Sequence, residues 1–215
     1  MKRKLKNAVR RVRRKLANLG VVRSIWSDRF LILYAMEAGR VTPIDTKDDF
    51  ARNSVEHLAL FKQTERWLEP GTFAVQAHAR IAEGMHLYTS VRDGVLVHFA
   101  WLVPHQKEAW FPYVGQRYTF PEGTAVLFNA YTHPDARGGG YHERSMRRRL
   151  SDAAAQPGTR HIYTAMESHN HVSRAVAERV GFRCVDVLFE RSRFGRQTRG
   201  TMTPATYFST VEKRS

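Results

Sequence analysis

The chain has 215 residues, 42% of them hydrophobic and 11% aromatic, enough to bury the core of one globular domain with a small appendage. Its formal charge of +15, from 35 Lys and Arg against 20 Asp and Glu, favours polyanionic partners: nucleic acid, an anionic membrane face or phosphorylated small molecules. No apolar run approaches the roughly 20 residues needed to span a bilayer, no secretory signal is expected at the start, and the single cysteine, Cys184, excludes an internal disulfide and fits a reducing, cytoplasmic compartment.

Much of the charge is local. Lys2, Arg3, Lys4, Lys6, Arg10, Arg11, Arg13, Arg14 and Lys15 precede the first acid, Asp28. Leu5, Val9, Val12, Leu16 and Leu19 fall on one face of a helix over 1–20, which Gly20 would stop. This basic amphipathic helix, a unit of residues 1–22, would either pack its leucine stripe on the domain or lie on an anionic membrane surface or a nucleic acid. The membrane version would make the protein peripheral at the inner face of a membrane.

The domain proper is expected over 23–200, with 201–215 as a C-terminal tail. An apolar run at 30–35 predicts a first strand. Thr46 as a cap, with Phe50, Val55, Leu58 and Phe61 behind it, predicts a helix over about 47–66, and Pro70-Gly71 is expected to end this section. Leu87, Thr89 and Val91 alternate with polar neighbours, Asp93-Gly94 makes a hairpin turn, and 95–103 continues as a buried strand. A loop with Trp110, Phe111 and Tyr113 follows, then a strand at 124–132. After the glycines at 138–140 a helix carries Met146, Leu150 and Ala154. A strand at 161–166, a helix through Val172, Val176 and Val180 closed by Gly181, and a strand at 182–190 complete the pattern. The alternation predicts an α+β domain with a mixed sheet and helices packed on it.

Gly138, Gly139 and Gly140 are the most informative segment. Glycines in a strand-to-helix turn let backbone approach a ligand closely. The first helical N–H groups lack intrahelical partners and, with the helix dipole, attract an anion. Arg137 adds a full charge. A P-loop would need Gly-Lys-Ser/Thr, where Tyr141-His142 stands, and a dinucleotide fingerprint would need a third glycine that is missing. A plain flexible turn is the alternative use of such glycines.

The stretch from Tyr131 through Thr132, Pro134 and Arg137 to Gly140 resembles the strand, proline-containing loop and Arg/Gln-x-x-Gly-x-Gly/Ala turn of the GNAT superfamily of N-acetyltransferases. Asn170, Ser173 and Val180-Gly181-Phe182 are similar to its second landmark, and spacing and order agree over about 125–190. The resemblance implies a strongly bent mixed sheet flanked by helices, with two central strands splayed near Thr132 and Met166. It also implies acetyl-CoA or another acyl-CoA as cosubstrate, with no metal. The pantetheine amides would pair with backbone at Tyr131 and Thr132. The pyrophosphate would sit on the amides from Arg137 through Gly138, Gly139, Gly140 and Tyr141 to His142. Asn170 would contact the cofactor arm. Two positions depart from the family pattern: His142 stands where Gly or Ala is usual, and Ala177 where many members carry a tyrosine that protonates the leaving thiolate.

Acyl transfer to an amine needs a base. Glu167, after the strand at 161–166, and Tyr131 are the candidate catalytic residues. His169 and His171 have a spacing that invites a metal, but no second cluster completes a site. Cys184 reads as a packed core thiol. Arg144, Arg147, Arg148 and Arg149 read mainly as a solvated face from which one or two could reach phosphates. Arg191, Arg193, Arg196 and Arg199 read as a basic tail or an anion site. The expected activity is N-acyl transfer, acetyl above all, from acyl-CoA to a small-molecule or macromolecular amine. The alternative is a non-catalytic CoA- or polyanion-binding protein on the same fold.

Overall fold

The computed structural model describes residues 26–44, 49–64 and 69–212. The expected basic helix over 1–20 and the Thr46 cap lie outside these residues. The described chain forms strands β1 (Trp26–Glu37), β2 (Ala51–Arg52), β3 (His86–Arg92), β4 (Val95–Val103), β5 (Glu108–Phe111), β6 (Gln116–Thr119), β7 (Thr124–Thr132), β8 (His161–Glu167), β9 (Arg183–Arg193) and β10 (Arg196–Met202). Its helices are α1 (Pro70–Ala82), α2 (Tyr141–Ala154), α3 (His171–Arg179) and α4 (Pro204–Glu212). The result is the mixed, bent sheet with flanking helices that the sequence predicts, in the order β10-β9-β1-β8-β7-β4-β3-β2.

Strand β1 lies inside the sheet. It pairs antiparallel with β8, Leu31 opposite Glu167, and with β9, Leu31 opposite Leu188. Helices cover one of its faces and the β5–β6 hairpin region the other, which is why 30–34 is an unbroken buried run rather than an alternation. Phe30, Ile32, Tyr34 and Met36 join the cluster with Met146, Leu150, Val176 and Tyr207, under α2, α3 and α4. Leu31 and Leu33 face the other way, onto Val114 and Phe120 around the β5–β6 hairpin. A third cluster packs Phe73 and Ala77 of α1 on Phe99 and Trp101 of β4.

Strands β7 and β8 are the parallel pair at the centre. They are hydrogen-bonded only from Thr124 opposite His161 to Leu127 opposite Thr164. Beyond that point they part. A bulge lies where they separate: β4 places Phe99 opposite Tyr131 but Trp101 opposite Phe128, so β7 carries an extra residue there. Asn129 takes φ 47 to accommodate it. Such a bulge bends its strand, and here it bends β7 away from β8.

Four expectations differ from the structure. In the described part of 47–66 the chain forms β2 and a 3-10 turn at Glu56–Leu60, not a long helix. Asn53 explains the change. At φ 58, its amide donates to the Leu87 carbonyl and its Oδ1 accepts from the Leu87 amide, both at 2.8 Å, which ties this segment to β3. Pro70-Gly71 opens α1 instead of closing the section before it, since the missing proline N–H costs nothing in a first turn. The Trp110 loop is the β5–β6 hairpin. Residues 196–202 pair with β9, and α4 buries Tyr207 against the Phe30 ring at 5.2 Å between centroids.

Candidate active-site cleft

The parting of β7 and β8 opens a cleft of about 360 Å³. Asn129 and Ala130 of the bulge form one wall, Glu167 ends the other, Asn170 stands at its rim, and His142 and Arg149 of α2 line it from beneath. It takes shape because the bulge in the β4–β7 ladder bends β7, so that its pairing with β8 stops at Leu127 and Thr164.

At one end lies the glycine turn. Gly138 and Gly140 have φ 81 and 75, the left-handed region that glycine enters without strain. A Cβ on Gly138 would meet nothing, whereas one on Gly139 would lie 3.1 Å from the Ala136 carbonyl and from the Tyr141 ring. The first backbone bond of α2 runs from the Arg144 amide to Gly140, so the amides of Tyr141, His142 and Glu143 have no carbonyl to meet within the helix. Of the amides expected to hold an anion, those of Arg137 and Gly139 are already engaged, with Pro134 and Ala136. The Arg137 side chain donates to the Thr132 carbonyl at 3.3 Å, and Arg144 donates to the Gly139 carbonyl at 2.7 Å.

The underside of the cleft is polar where a helix packed on a sheet is ordinarily apolar. Arg149 is 1% exposed. Its Nε donates to the Ser145 carbonyl at 3.2 Å and its Nη1 to the Trp101 carbonyl at 3.1 Å, while its Nη2 has no partner. Burial lowers its pKa to about 9. His142 and His98 lie beside it with their rings 6.4 Å apart, and the Nε2 of each is also unpartnered. Burial, reinforced by Arg149, pushes His142 down to about 4, and moves His98 in the same direction. Both are neutral imidazoles at pH 7. Arg149 is thus not part of a solvated arginine face. Arg147 pairs with Glu143 at 2.9 Å and Arg148 with Asp152 at 3.1 Å.

At the other end Glu167 stands 3.2 Å from His169 Nε2. Tyr113, from the β5–β6 hairpin, sits 6.3 Å from the His169 ring, with the Arg29 guanidinium 5.8 Å from its own ring centroid. Burial first, then the nearby Glu167, raises the Tyr113 pKa. The sequence named Tyr113 only as part of an aromatic loop. Its place beside Glu167 depends on a hairpin that lies far away in the chain.

The other predicted residues fall as follows. Tyr131 and Thr132 end β7, paired with Phe99 and His98 of β4 and beyond the last residues that pair with β8. The Tyr131 phenol turns away from the cleft, packs with Phe61 and Phe99, and meets the Thr64 hydroxyl. Asn170 caps α3, accepting from the Ser173 amide at 3.2 Å. Ala177 is fully buried. Cys184 is half-buried and its pKa is pushed up to about 11 by burial, so it holds its proton. Arg193 pairs with Asp28 at 2.6 Å and Arg199 with Glu190 at 2.9 Å, within the sheet rather than in a tail. Among the described residues no three His, Cys, Asp or Glu side chains gather to hold a metal ion.

The model of the acetyltransferase (GNAT) family matches residues 52–182. This span contains the cleft residues from β7 to α3 but not β1, whose Leu31 also lines the cleft. No curated protein matches the chain. Among solved structures, a putative GNAT acetyltransferase from Novosphingobium aromaticivorans aligns with a TM-score of 0.53 and 20% identity, over 77% of this chain and 64% of that one. A GNAT acetyltransferase from Colwellia psychrerythraea gives 0.51 and 15%, over 74% and 53%. A Drosophila protein gives 0.50 and 14%, over 85% and 58%. The chain thus spans less than two thirds of the length of each, and at these identities the likeness speaks for the fold.

Proposed function

Because the chain belongs to the acetyltransferase (GNAT) family, we propose that it transfers an acyl group, acetyl in the simplest case, from acyl-CoA to an amine. The observation that carries this reading is the parting of β7 and β8 at Leu127 and Thr164, with a glycine turn at one end of the opening and Glu167 at the other. A thioester arm needs a slot between strands, an anion site at its entry and a base at its exit. The cleft offers groups for each.

In this reading the free amides at Tyr141 and His142, with the open backbone at Gly138 and Gly140, receive the pyrophosphate. Arg137 and Arg144 brace the turn from either side. Backbone at Tyr131 and Thr132 pairs with the pantetheine amides, and Asn170 contacts the arm at the rim. Glu167 takes the proton from the acceptor ammonium, steadied by His169. The amine nitrogen bonds to the thioester carbon, the carbon–sulfur bond breaks, and the second proton lost by the nitrogen passes through water to the departing thiolate. Tyr131 has no part in proton transfer, since its phenol is spent in packing.

Titration calorimetry with acetyl-CoA, paired with a thiol-release assay over a panel of amines, tests the reading. Micromolar binding and turnover with one class of amine are expected. No binding at high micromolar cosubstrate would overturn it. A second reading rests on Ala177, which removes the usual proton donor: a CoA-binding protein without turnover. It predicts binding with no thiol release from any amine. The basic segment 1–20 is a separate proposal. Recruitment to anionic lipid predicts that its deletion abolishes vesicle binding but not CoA binding, whereas nucleic-acid binding would fall steeply with salt.

A further inference from the structure

Helix α2 turns three polar side chains, His142, Ser145 and Arg149, toward the sheet, and His98 of β4 joins them. Four of their polar atoms, His142 Nε2, Ser145 Oγ, Arg149 Nη2 and His98 Nε2, are buried without a hydrogen-bond partner. Each such atom destabilises the fold if left unsatisfied. Their clustering at one place marks a surface built to meet something. Arg149 and His142 both line the cleft.

The charge is more telling than the missing hydrogen bonds. Arg149 is buried with its two satisfied nitrogens on backbone carbonyls, which supply acceptors but no negative charge. The nearby carboxylate, Asp152 one turn on, is committed to Arg148 at 3.1 Å and to the Tyr88 hydroxyl at 2.6 Å. A buried charge without a counter-charge is costly unless a ligand brings one. The cosubstrate pyrophosphate is poorly placed to do so, because its proposed amides, at Tyr141 and His142, open beside the exposed glycines of the turn, while Arg149 lies two turns further along α2, held inside against the Trp101 carbonyl beside the bulge.

We infer that Arg149, with His142 beside it, forms a carboxylate subsite on the underside of the cleft, and that the preferred donor is a carboxyacyl thioester, a dicarboxylic acid esterified to CoA at one end. The juxtaposition that carries this is the unpartnered Arg149 Nη2 and His142 Nε2 along one cleft wall. The Arg149 guanidinium and, in the tautomer with its proton on Nε2, the His142 imidazole would both donate to carboxylate oxygens, which satisfies the charge and the two stranded nitrogens together. This inference rests on the acyl-CoA reading above.

The experiment is calorimetric titration of the full chain with CoA, butyryl-CoA and succinyl-CoA, the last two of matched chain length. Succinyl-CoA is expected to bind at least about tenfold more tightly than butyryl-CoA. In Arg149→Met, checked for folding by thermal denaturation, that preference shrinks to about threefold or less. Equal affinity of the two thioesters for the wild-type chain overturns the subsite, as does a preference that survives in folded Arg149→Met. The wild-type comparison decides alone if the variant does not fold. Binding of CoA and butyryl-CoA without a succinyl preference removes only this inference. Binding of none of the three removes the acyl-CoA reading as well.

Discussion

The Arg144 Nη1 lies 2.7 Å from the carbonyl oxygen of Gly139, and its guanidinium carbon is 4.8 Å from the centroid of the Tyr141 ring. One side chain thus straps the glycine turn from within the first turn of the helix that follows. A turn rich in glycine loses much conformational freedom when it orders around a ligand. The strap removes part of that cost beforehand. Arg144→Ala is expected to lower CoA affinity by about three- to tenfold, read by calorimetry. Unchanged affinity would mean that the turn is held without it.

Gly139 tests the same turn through sterics. Its added Cβ would press on the Ala136 carbonyl, which is backbone and cannot swing aside. Gly139→Val should displace the turn and weaken CoA binding by about tenfold or more, with a smaller loss of thermal stability. A variant that binds CoA normally would place the pyrophosphate elsewhere.

Glu167→Gln keeps the shape of the cleft rim and removes the carboxylate proposed as the base. A positioned general base contributes about 10²–10⁴ in rate. The variant should lose about a hundredfold in turnover while acetyl-CoA binding stays within the error of titration. A rate close to wild type would reassign the proton to His169 or to solvent.

These tests combine features that the sequence announced with features it hid. The hairpin at Asp93-Gly94 and strands β4 and β7 could be read directly, because two-residue turn chemistry and unbroken apolar runs are local signals. So was the glycine turn, whose meaning lies in backbone freedom. The region 47–66 misled because Leu58 and Phe61 are equally well buried by a 3-10 turn pinned to β3 through Asn53. The β5–β6 hairpin, with Tyr113, was hidden by aromatic residues that look the same in a loop. Arg149 was hidden most deeply. Its spacing from Arg148 and Arg147 suggests a solvated face, and only the carbonyl of Trp101, across the sheet, explains why it turns inward.

The neutral imidazoles of the cleft make stability depend on pH. His142 ionises at about 4 in the fold and near 6.5 when unfolded. Between those values the unfolded chain binds a proton that the folded chain refuses, so stability is complete above about 6.5 and is lost as pH falls toward 4. From pH 7 to pH 5 the loss due to His142 is about 2 kcal/mol, and His98 adds to it in the same direction. Urea unfolding at the two pH values measures this. His142→Asn should flatten the dependence by about that amount, and an unaltered slope would assign it to other groups.

The C-terminal helix provides the last test, because it lies outside the family match yet reaches the core. Tyr207 is 5% exposed, and its ring meets Phe30 on the central strand β1, which itself precedes the matched span. The two ends of the described chain therefore close on each other beneath the sheet. Tyr207→Ala removes a buried aromatic ring and should cost about 3 kcal/mol in urea unfolding, without changing CoA affinity at temperatures where the protein is folded. A loss well below 1 kcal/mol would mean that α4 rests on the domain without contributing to its core, and that β1 keeps its place through its ladders with β8 and β9 alone.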